Sequence, residues 1–353
     1  MVTTTINPAT GVQVRTFEED LRAAWDGYVD RHPGASLFHL TAWQRVIQRA
    51  FAFEARYLLA EDQSGIRGVL PLFLVQNLIQ GRTLISTPFA VYGGICAGDD
   101  AAQQALCDAA RQIAAAEKVQ YLELRERWAS FDSSFRVKDL YVAFEQDLPS
   151  DPEQLLRGFP RDTRYMIRKA EKAGLAAVVD NSQLDVFYEI YAASVHHLGT
   201  PVFAKRFFRI LLEEFGDLCE ITVVWHGKQA VAAVLSFLFR DWILPYYGGS
   251  LPEGRRVAAN NFMYWEVMKQ AVARGFRHFD FGRSKMATGA YAFKTQWNMR
   301  QRPLPYMYHL ERRKSMPNFS PANPRFQLLT SAWKRLPFSL TKVVGPALVR
   351  LFP

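Results

Sequence analysis

The chain has 353 residues, of which 49% are hydrophobic and 22% charged, and a formal net charge of +9. Its length and its 14% aromatic content exclude a disordered chain, allow a large core without disulfide staples and point to two domains. The positive balance favours anionic partners: phosphates, RNA, coenzyme A or acidic lipid.

Three cysteines, Cys96, Cys107 and Cys219, occur with no C-x-x-C, which argues against a disulfide framework or a zinc site and fits a reducing compartment. The opening MVTTTINPATGVQVRTFEED has neither a charged n-region nor an apolar h-region. Apolar stretches such as Ala230–Phe239 are too short to span a bilayer. The expected location is cytoplasmic, with at most a peripheral attachment to the inner membrane.

In chain order, the first clear signal is a hairpin. RYLLAEDQSGIRGVLPLFLV (56–75) holds two strand-forming runs around a turn at Gly65. TLISTPFAVYGG (83–94) reads as a third strand ending in Y-G-G, followed by a helical stretch and a fourth strand in VQYLELRER (119–127). DLPSDPEQLL (147–156) then reads as a boundary, with Asp151 capping a new helix and Pro152 in its first turn.

FPRDTRYMIRKAEKAGL (159–175) predicts a helix with Arg161, Arg164, Arg168 and Lys172 on one face, flanked by Tyr165 and Lys169. Such a face suits a phosphate backbone or a pyrophosphate. In SVHHLGTPVFAKRFF (194–208), a helix starting near Leu184 ends at Gly199, and the turn Gly199-Thr200-Pro201 re-aims the chain. His196 and His197 are adjacent there, which makes one of them a candidate general base.

The strand pattern then returns. EITVVWHGKQAVAAVLSFLF (220–239) is a hairpin around Gly227, and WILPYYGGS (242–250) is a third strand. A helix follows with Phe262, Trp265, Met268 and Val272 at helical spacing and a stop at Gly275, and then a fourth strand in FRHFDFGRS (276–284). Tyr92-Gly93-Gly94 matches Tyr247-Gly248-Gly249, and Tyr121–Arg127 matches His278–Ser284. The halves are therefore read as a duplication. A helix between strands three and four implies a parallel crossover and a mixed sheet.

Three segments of the second half and the tail carry candidate chemistry. Arg255, Arg256, Asn260 and Asn261 stand before and at the start of the crossover helix, where free N–H groups bind anions, although the R-x-x-G-x-G/A pattern is absent. Asp280, Arg283, Ser284 and Lys285 stand at the carboxyl end of the last strand, where ligands bind in open α/β sheets. GAYAFKTQW (289–297) sets Lys294 in an aromatic run, a cation that is paired or used if buried. The tail 325–353 holds Arg325, Lys334, Arg335, Lys342 and Arg350 with no acid, and Phe326, Leu329, Trp333 and Leu336 at helical spacing. It suits an anionic membrane leaflet or docking on the protein body.

The order helix, antiparallel meander, crossover helix, strand resembles the GNAT-type acyl-CoA N-acyltransferase fold. The expected class is thus α/β with a mixed sheet (α+β), as tandem GNAT-like domains at 1–150 and 151–315 with a basic tail at 316–353. R-Y-M-I-R-K-A-E-K-A-G-L, H-L-G-T-P, D-F-G-R-S and G-A-Y-A-F-K-T-Q-W together resemble the FemAB family, most closely the FemAB-like proteins of exosortase/PEP-CTERM exopolysaccharide systems. That resemblance implies amide formation on a cell-envelope precursor, a peptidoglycan peptide or an exopolysaccharide amino sugar. It implies an acceptor cleft near the boundary of the two domains.

It also implies Lys294 as the group that stabilises the transferred carbonyl, with Phe293 beside it. Asp280 is expected to orient or deprotonate the amine. Arg164, Tyr165, Arg168, His197, Thr200, Tyr247, Arg283, Ser284 and Phe293 form the expected substrate-binding set, and Asn260 and Asn261 the expected donor-binding pair. No metal or tightly bound cofactor is expected; the acyl donor is acyl-CoA or aminoacyl-tRNA, which makes tRNA a candidate partner, and the chain is expected to be a monomer or weak dimer. The competing functions are RNA binding and a non-catalytic scaffold of an envelope assembly system.

Overall fold

A computed structural model describes residues 5–6, 11–128, 132–286, 288–317 and 324–353; the side chains of 5–6 and 324–329 are outside the description. The chain divides into two compact units. One comprises 1–140, 304–318 and 350–353, the other 141–303 and 319–349. The sequence reading puts the first boundary at 150/151. The chain changes units between Leu140 and Tyr141 inside one long strand and between Pro303 and Leu304 inside another, and again at 318/319 and 349/350.

The first unit begins with β1 (Thr5–Ile6), β2 (Gln13–Thr16), α1 (Arg22–Arg31) and α2 (Thr41–Phe51). β3 (Glu54–Ala55), β4 (Leu58–Asp62), β5 (Gly65–Leu70), β6 (Phe73–Asn77), β7 (Gly81–Ile85) and β8 (Cys96–Ala97) follow, then α3 (Asp100–Ala116) and β9 (Tyr121–Arg125). β10 (Arg136–Asp147) leads into the second unit, with α4 (Pro152–Gly158), α5 (Arg161–Lys172), β11 (Leu175–Val179), α6 (Leu184–Leu198) and α7 (Lys205–Phe215). β12 (Cys219–His226), β13 (Gln229–Phe239), β14 (Trp242–Ser250), α8 (Pro252–Arg256), α9 (Ala259–Ala273), β15 (His278–Lys285) and α10 (Gly289–Thr295) complete the repeat. β16 (Arg300–Leu310), α11 (Pro324–Arg335) and α12 (Phe338–Val349) end the chain.

In the second unit the strand order is β11-β12-β13-β14-β15-β10, antiparallel except for the parallel pair β14–β15. The first unit holds β1-β2-β4-β5-β8 as one sheet and β3-β6-β7-β9-β16 as a second run, with β7–β9 parallel. The parallel pair flanking a crossover helix thus occurs twice, α3 between β7 and β9 and α9 between β14 and β15. This is the tandem GNAT-like arrangement.

The halves differ where proline intervenes. β13 runs eleven residues and pairs with β12 and β14. Its counterpart in the first half is cut at Pro71: β5 pairs with β4, and β6 pairs with β7. A proline has no amide to donate to a ladder, so the strand changes sheets there. A second difference corrects the sequence reading. β7 stops at Ile85, so Tyr92-Gly93-Gly94 lies in a loop, whereas Tyr247-Gly248-Gly249 is inside β14.

Each unit has its own core. In the second, Phe262, Trp265, Met268 and Val272 of α9 are buried as their spacing predicts, with Phe279 and Phe281 of β15. In the first, Leu106, Ala110, Ile113 and Ala114 of α3 pack with Leu122 and Leu124 of β9. Asp151 caps α4 as expected, accepting from the amides of Glu153 and Gln154. In the tail, α11 and α12 pack on α6. Trp333 is buried, while the side chains of Phe326 and Leu329, and Arg325, lie outside the described ones. Among the described residues no helix is long and apolar enough to cross a membrane.

Candidate active site

The site begins with two strands that part. β14 and β15 pair only at Trp242/His278 and Ile243/Phe279. Beyond that, β14 stays with β13 up to Ser250, and β15 stays with β10 up to Lys285. The carboxyl ends of two parallel neighbours therefore separate, the place where open α/β sheets bind ligands.

A bulge then re-aims β15. Arg283 faces Ala143 and Asp280 faces Glu145, so β15 spends three steps where β10 spends two. Gly282 absorbs the extra residue at φ +69°, in the left-handed region, and its amide donates to Asp280 Oδ1 at 2.7 Å. Such a bulge bends a strand and redirects its side chains. Phe279 and Phe281 enter the core while Asp280, also buried, faces the other side. Asp280 and Glu145 are cross-strand partners of like charge, which is unfavourable unless compensated. Arg302 supplies the compensation with an ion pair to Glu145.

α10 brings the lysine to this bulge. Thr288 caps the helix, accepting from the Tyr291 amide at 3.3 Å, and its hydroxyl donates to the Lys285 carbonyl at 2.7 Å. Lys294 Nζ donates to the carbonyl oxygens of Gly282 and Arg283, both at 3.1 Å. The Phe281 and Phe144 ring centroids lie 5.2 and 6.0 Å from it. Burial pulls the ammonium down from 10.5 to about 8; the charge of Asp280 opposes this and that of Arg283 adds to it. The residue as a whole is half-buried, while its charged end is enclosed. Phe293 packs on Tyr264, Phe281 and Trp297 with centroids 5.9–6.3 Å apart.

Around this centre, Arg283 lies over the Tyr141 ring at 4.7 Å. It is near enough to Tyr247 to oppose the rise that burial imposes on that phenol. Tyr247 sits among Tyr191, Phe203, Phe207, Phe208 and Tyr246. Its hydroxyl, on β14, and Ser284 Oγ, on β15, are buried with no hydrogen-bond partner among the described residues. Each orphaned hydroxyl costs about 1–3 kcal/mol unless a ligand engages it. Asp280, Arg283, Ser284, Phe293, Lys294 and Tyr247 thus form one neighbourhood.

Other sequence candidates fall elsewhere. Arg164, Tyr165 and Arg168 are on α5, where Tyr165 is 65% exposed and Arg164 donates to the Arg157 carbonyl at 2.9 Å. The buried side of that helix is what reaches the site's scaffold: Thr163 Oγ1 donates to Gln296 O at 2.6 Å, just past α10. Phe159 meets Trp297 edge-on at 5.1 Å. His197 and Thr200 are exposed at the end of α6, and the histidine with a buried, unpartnered nitrogen is His196, whose ring lies 5.7 Å from Phe338. Asn260 and the buried Asn261 stand in the first turn of α9, behind Ala258 in a left-handed conformation (φ +59°). Sequence reasoning missed Tyr141, Phe144 and Glu145 on β10 and Thr163 on α5; the glycine of D-F-G is the one local feature that fits the bulge opposite β10.

The equivalent place in the first unit is filled. β7 and β9 also pair only at Leu84/Leu122 and Ile85/Glu123. The repeat aligns Arg125 with Gly282. Arg125 is buried and donates to Thr87 O and Ala90 O at 2.9 Å and to Glu123 Oε1 at 2.8 Å. A side chain occupies the parting that the second unit leaves beside a glycine. Nearby, Glu126 accepts from the Ile95 amide at 2.9 Å, and burial raises its carboxyl to about 8.

Comparison with known proteins agrees with this architecture. Residues 157–295 match the family model described as an acetyltransferase (GNAT) domain, a span that includes Asp280, Arg283, Ser284, Phe293, Lys294 and Tyr247. Nothing among curated proteins matches. Among solved structures, FemX superposes with a TM-score of 0.67 at 16% identity, over 90% of this chain and 99% of that one. L-PGS from Bacillus licheniformis gives 0.54 at 13% identity, over 89% and 97%. A tandem GNAT protein from the clavulanic acid biosynthesis pathway gives 0.54 at 11% identity, over 87% and 99%. At such identities the likeness is one of fold, that of two GNAT-like domains in tandem.

Proposed function

We propose that this chain is an amide-forming N-acyl or aminoacyl transferase of FemAB type, acting on an amine of a cell-envelope precursor. One observation carries the reading: a buried ammonium at a strand end, held by two carbonyls and beside a buried carboxylate, with its proton affinity lowered toward neutrality. Two N–H groups of Lys294 are engaged, which leaves the third for an oxyanion.

The chemistry follows. The acceptor amine attacks the carbonyl carbon of an ester (aminoacyl-tRNA) or thioester (acyl-CoA). Lys294 stabilises the negative oxygen of the tetrahedral intermediate, a contribution commonly worth about 10²–10³ in rate. Asp280 orients the amine and accepts its proton. The C–N bond forms, the C–O or C–S bond breaks, and the departing oxygen or sulfur takes up the proton. Tyr247, Arg283 and Ser284 contribute neutral and charged donors around the reacting groups. The fold likeness to FemX and the GNAT-domain match support transfer to nitrogen. The acceptor is assigned, from the FemAB resemblance, to a peptidoglycan peptide or an exopolysaccharide amino sugar. On this reading the reaction belongs to the cytoplasmic side.

The test is a transfer assay with labelled acetyl-CoA and labelled aminoacyl-tRNA against both acceptor classes. An amide product from one donor, lost in Lys294→Met, supports the reading; no transfer from either donor overturns it. A second reading rests on the exposed basic face of α5, where Arg161, Arg168, Lys169 and Lys172 face solvent. If RNA binding is the function, salt-dependent binding persists without transfer.

A further inference from the structure

We propose that the outer face of α12 is a docking surface for an anionic lipid bilayer. The helix is fixed on the body by its inner face, where Thr341, Gly345 and Val349 are buried. A Cβ on Gly345 would stand 2.9 Å from Val202 N and 3.0 Å from Val202 O, so only glycine lets the helix lie so close. Lys342 Nζ binds both carboxylate oxygens of Glu189 on α6 at 2.9 Å.

This attachment turns the other side outward. Leu340 is 42%, Val343 75% and Val344 36% exposed, and Ala347 is exposed with them. The positions i, i+3, i+4 and i+7 form one continuous helical stripe. An apolar row facing solvent on a docked helix is the informative kind of exposure.

Charge selects the occupant. Residues 324–353 contain no acid, and Lys334 and Arg335 are exposed just before α12. At the junction of α6 and α11, a Cβ on Gly199 would lie 2.8 Å from Lys334 Cε, and Leu198 beside it is 64% exposed. A second copy meeting this face across a two-fold axis would bring like charges together, which association disfavours. Anionic headgroups neutralise them while the acyl boundary takes the apolar row. Two weak signals combined in this way give reversible peripheral binding. The proposal does not depend on the reaction assigned above.

The test is flotation of the full chain with vesicles of phosphatidylcholine alone and with phosphatidylglycerol added. The expected result is binding to the mixed vesicles only, reduced at high salt. The double variant Leu340→Glu/Val343→Glu is expected to lower partitioning at least tenfold with the far-UV spectrum and Tm unchanged. The milder Lys334→Gln/Arg335→Gln is expected to lower it at low salt only. Absence of binding to the mixed vesicles, or equal binding of the acidic double variant, overturns the proposal. So does a concentration-dependent dimer, seen by sedimentation, that the same variant abolishes.

Discussion

The Lys294 ammonium lies 3.1 Å from the carbonyl oxygen of Gly282, and a Cβ placed on Gly282 would stand 4.0 Å from the same nitrogen. The bulge and the lysine are therefore one construction. The glycine's left-handed turn presents the carbonyls that hold the ammonium, and α10 delivers the ammonium to them.

Replacing Lys294 by Met removes the donor while keeping an unbranched apolar stem. The expected loss is about 10²–10³ in kcat. Because the Gly282 and Arg283 carbonyls lose this donor and Asp280 loses the cation beside it, Tm is expected to fall. Steady-state kinetics and thermal melting of the same preparation check both halves.

The lysine also sets a pH dependence. Its proton affinity falls from 10.5 to about 8 on folding, chiefly through burial. With a protonated lysine as the active form, kcat is expected to decline as pH passes about 8. Stability runs the other way: between about 8 and 10.5 the unfolded chain binds more protons, so this group's contribution to stability rises with pH there. In Lys294→Arg the alkaline limb of kcat is expected to vanish. A pH–rate profile that keeps its limb in that variant would assign it to another group.

Gly282→Ala places a side chain at φ +69°. The backbone cost is about 1–2 kcal/mol. The Asp280–Gly282 turn and both lysine-binding carbonyls shift with it, so kcat is expected to fall more than stability does. Parallel loss of the two, measured by denaturant titration and kinetics, would make the residue structural alone.

Thr163→Val deletes the hydroxyl that donates to Gln296 O at 2.6 Å, behind α10. Stability is expected to drop by about 0.5–1.5 kcal/mol. A lower kcat with unchanged KM would mark Thr163 as a positioning residue for Lys294, and Thr163→Ser is expected to recover it.

In the first unit, burial raises the Glu126 carboxyl from 4.5 to about 8. Between those values the folded chain holds the extra proton, so this contribution to stability is lost as pH rises through the window. Glu126→Gln keeps an acceptor for the Ile95 amide and removes the charge. It is expected to raise stability at pH 8 by at least about 2 kcal/mol, since a tenfold change in proton affinity on folding is worth about 1.4 kcal/mol. Melting curves at pH 5 and pH 8 read the difference, and an unchanged pH dependence would reject it.

Much of the architecture is legible along the chain because it rests on local chemistry. Asp151 and Pro152 start α4, Gly199 ends α6, Gly65 and Gly227 sit at hairpin turns, and the spacing of Phe262, Trp265, Met268 and Val272 gives the buried side of α9. The candidate site is legible in part. D-F-G-R-S and the lysine of G-A-Y-A-F-K stand out as polar groups at a strand end and in an aromatic run. The basic face of α5 is legible as a charge pattern, whereas the buried Thr163 that reaches the α10 end carries no comparable signal.

Caps, turns and periodicity act over a few residues. The duplication, the element order and the residue types at the end of β15 therefore follow from the chain's own pattern. Which parting stays open is settled only by the folded contacts. Arg125 and Gly282 occupy equivalent steps of the repeat, yet one side chain reaches across to loop carbonyls and the other leaves room for Lys294. That outcome depends on strand register and on burial by distant segments, β10 and α10 among them, whose contacts no local pattern encodes.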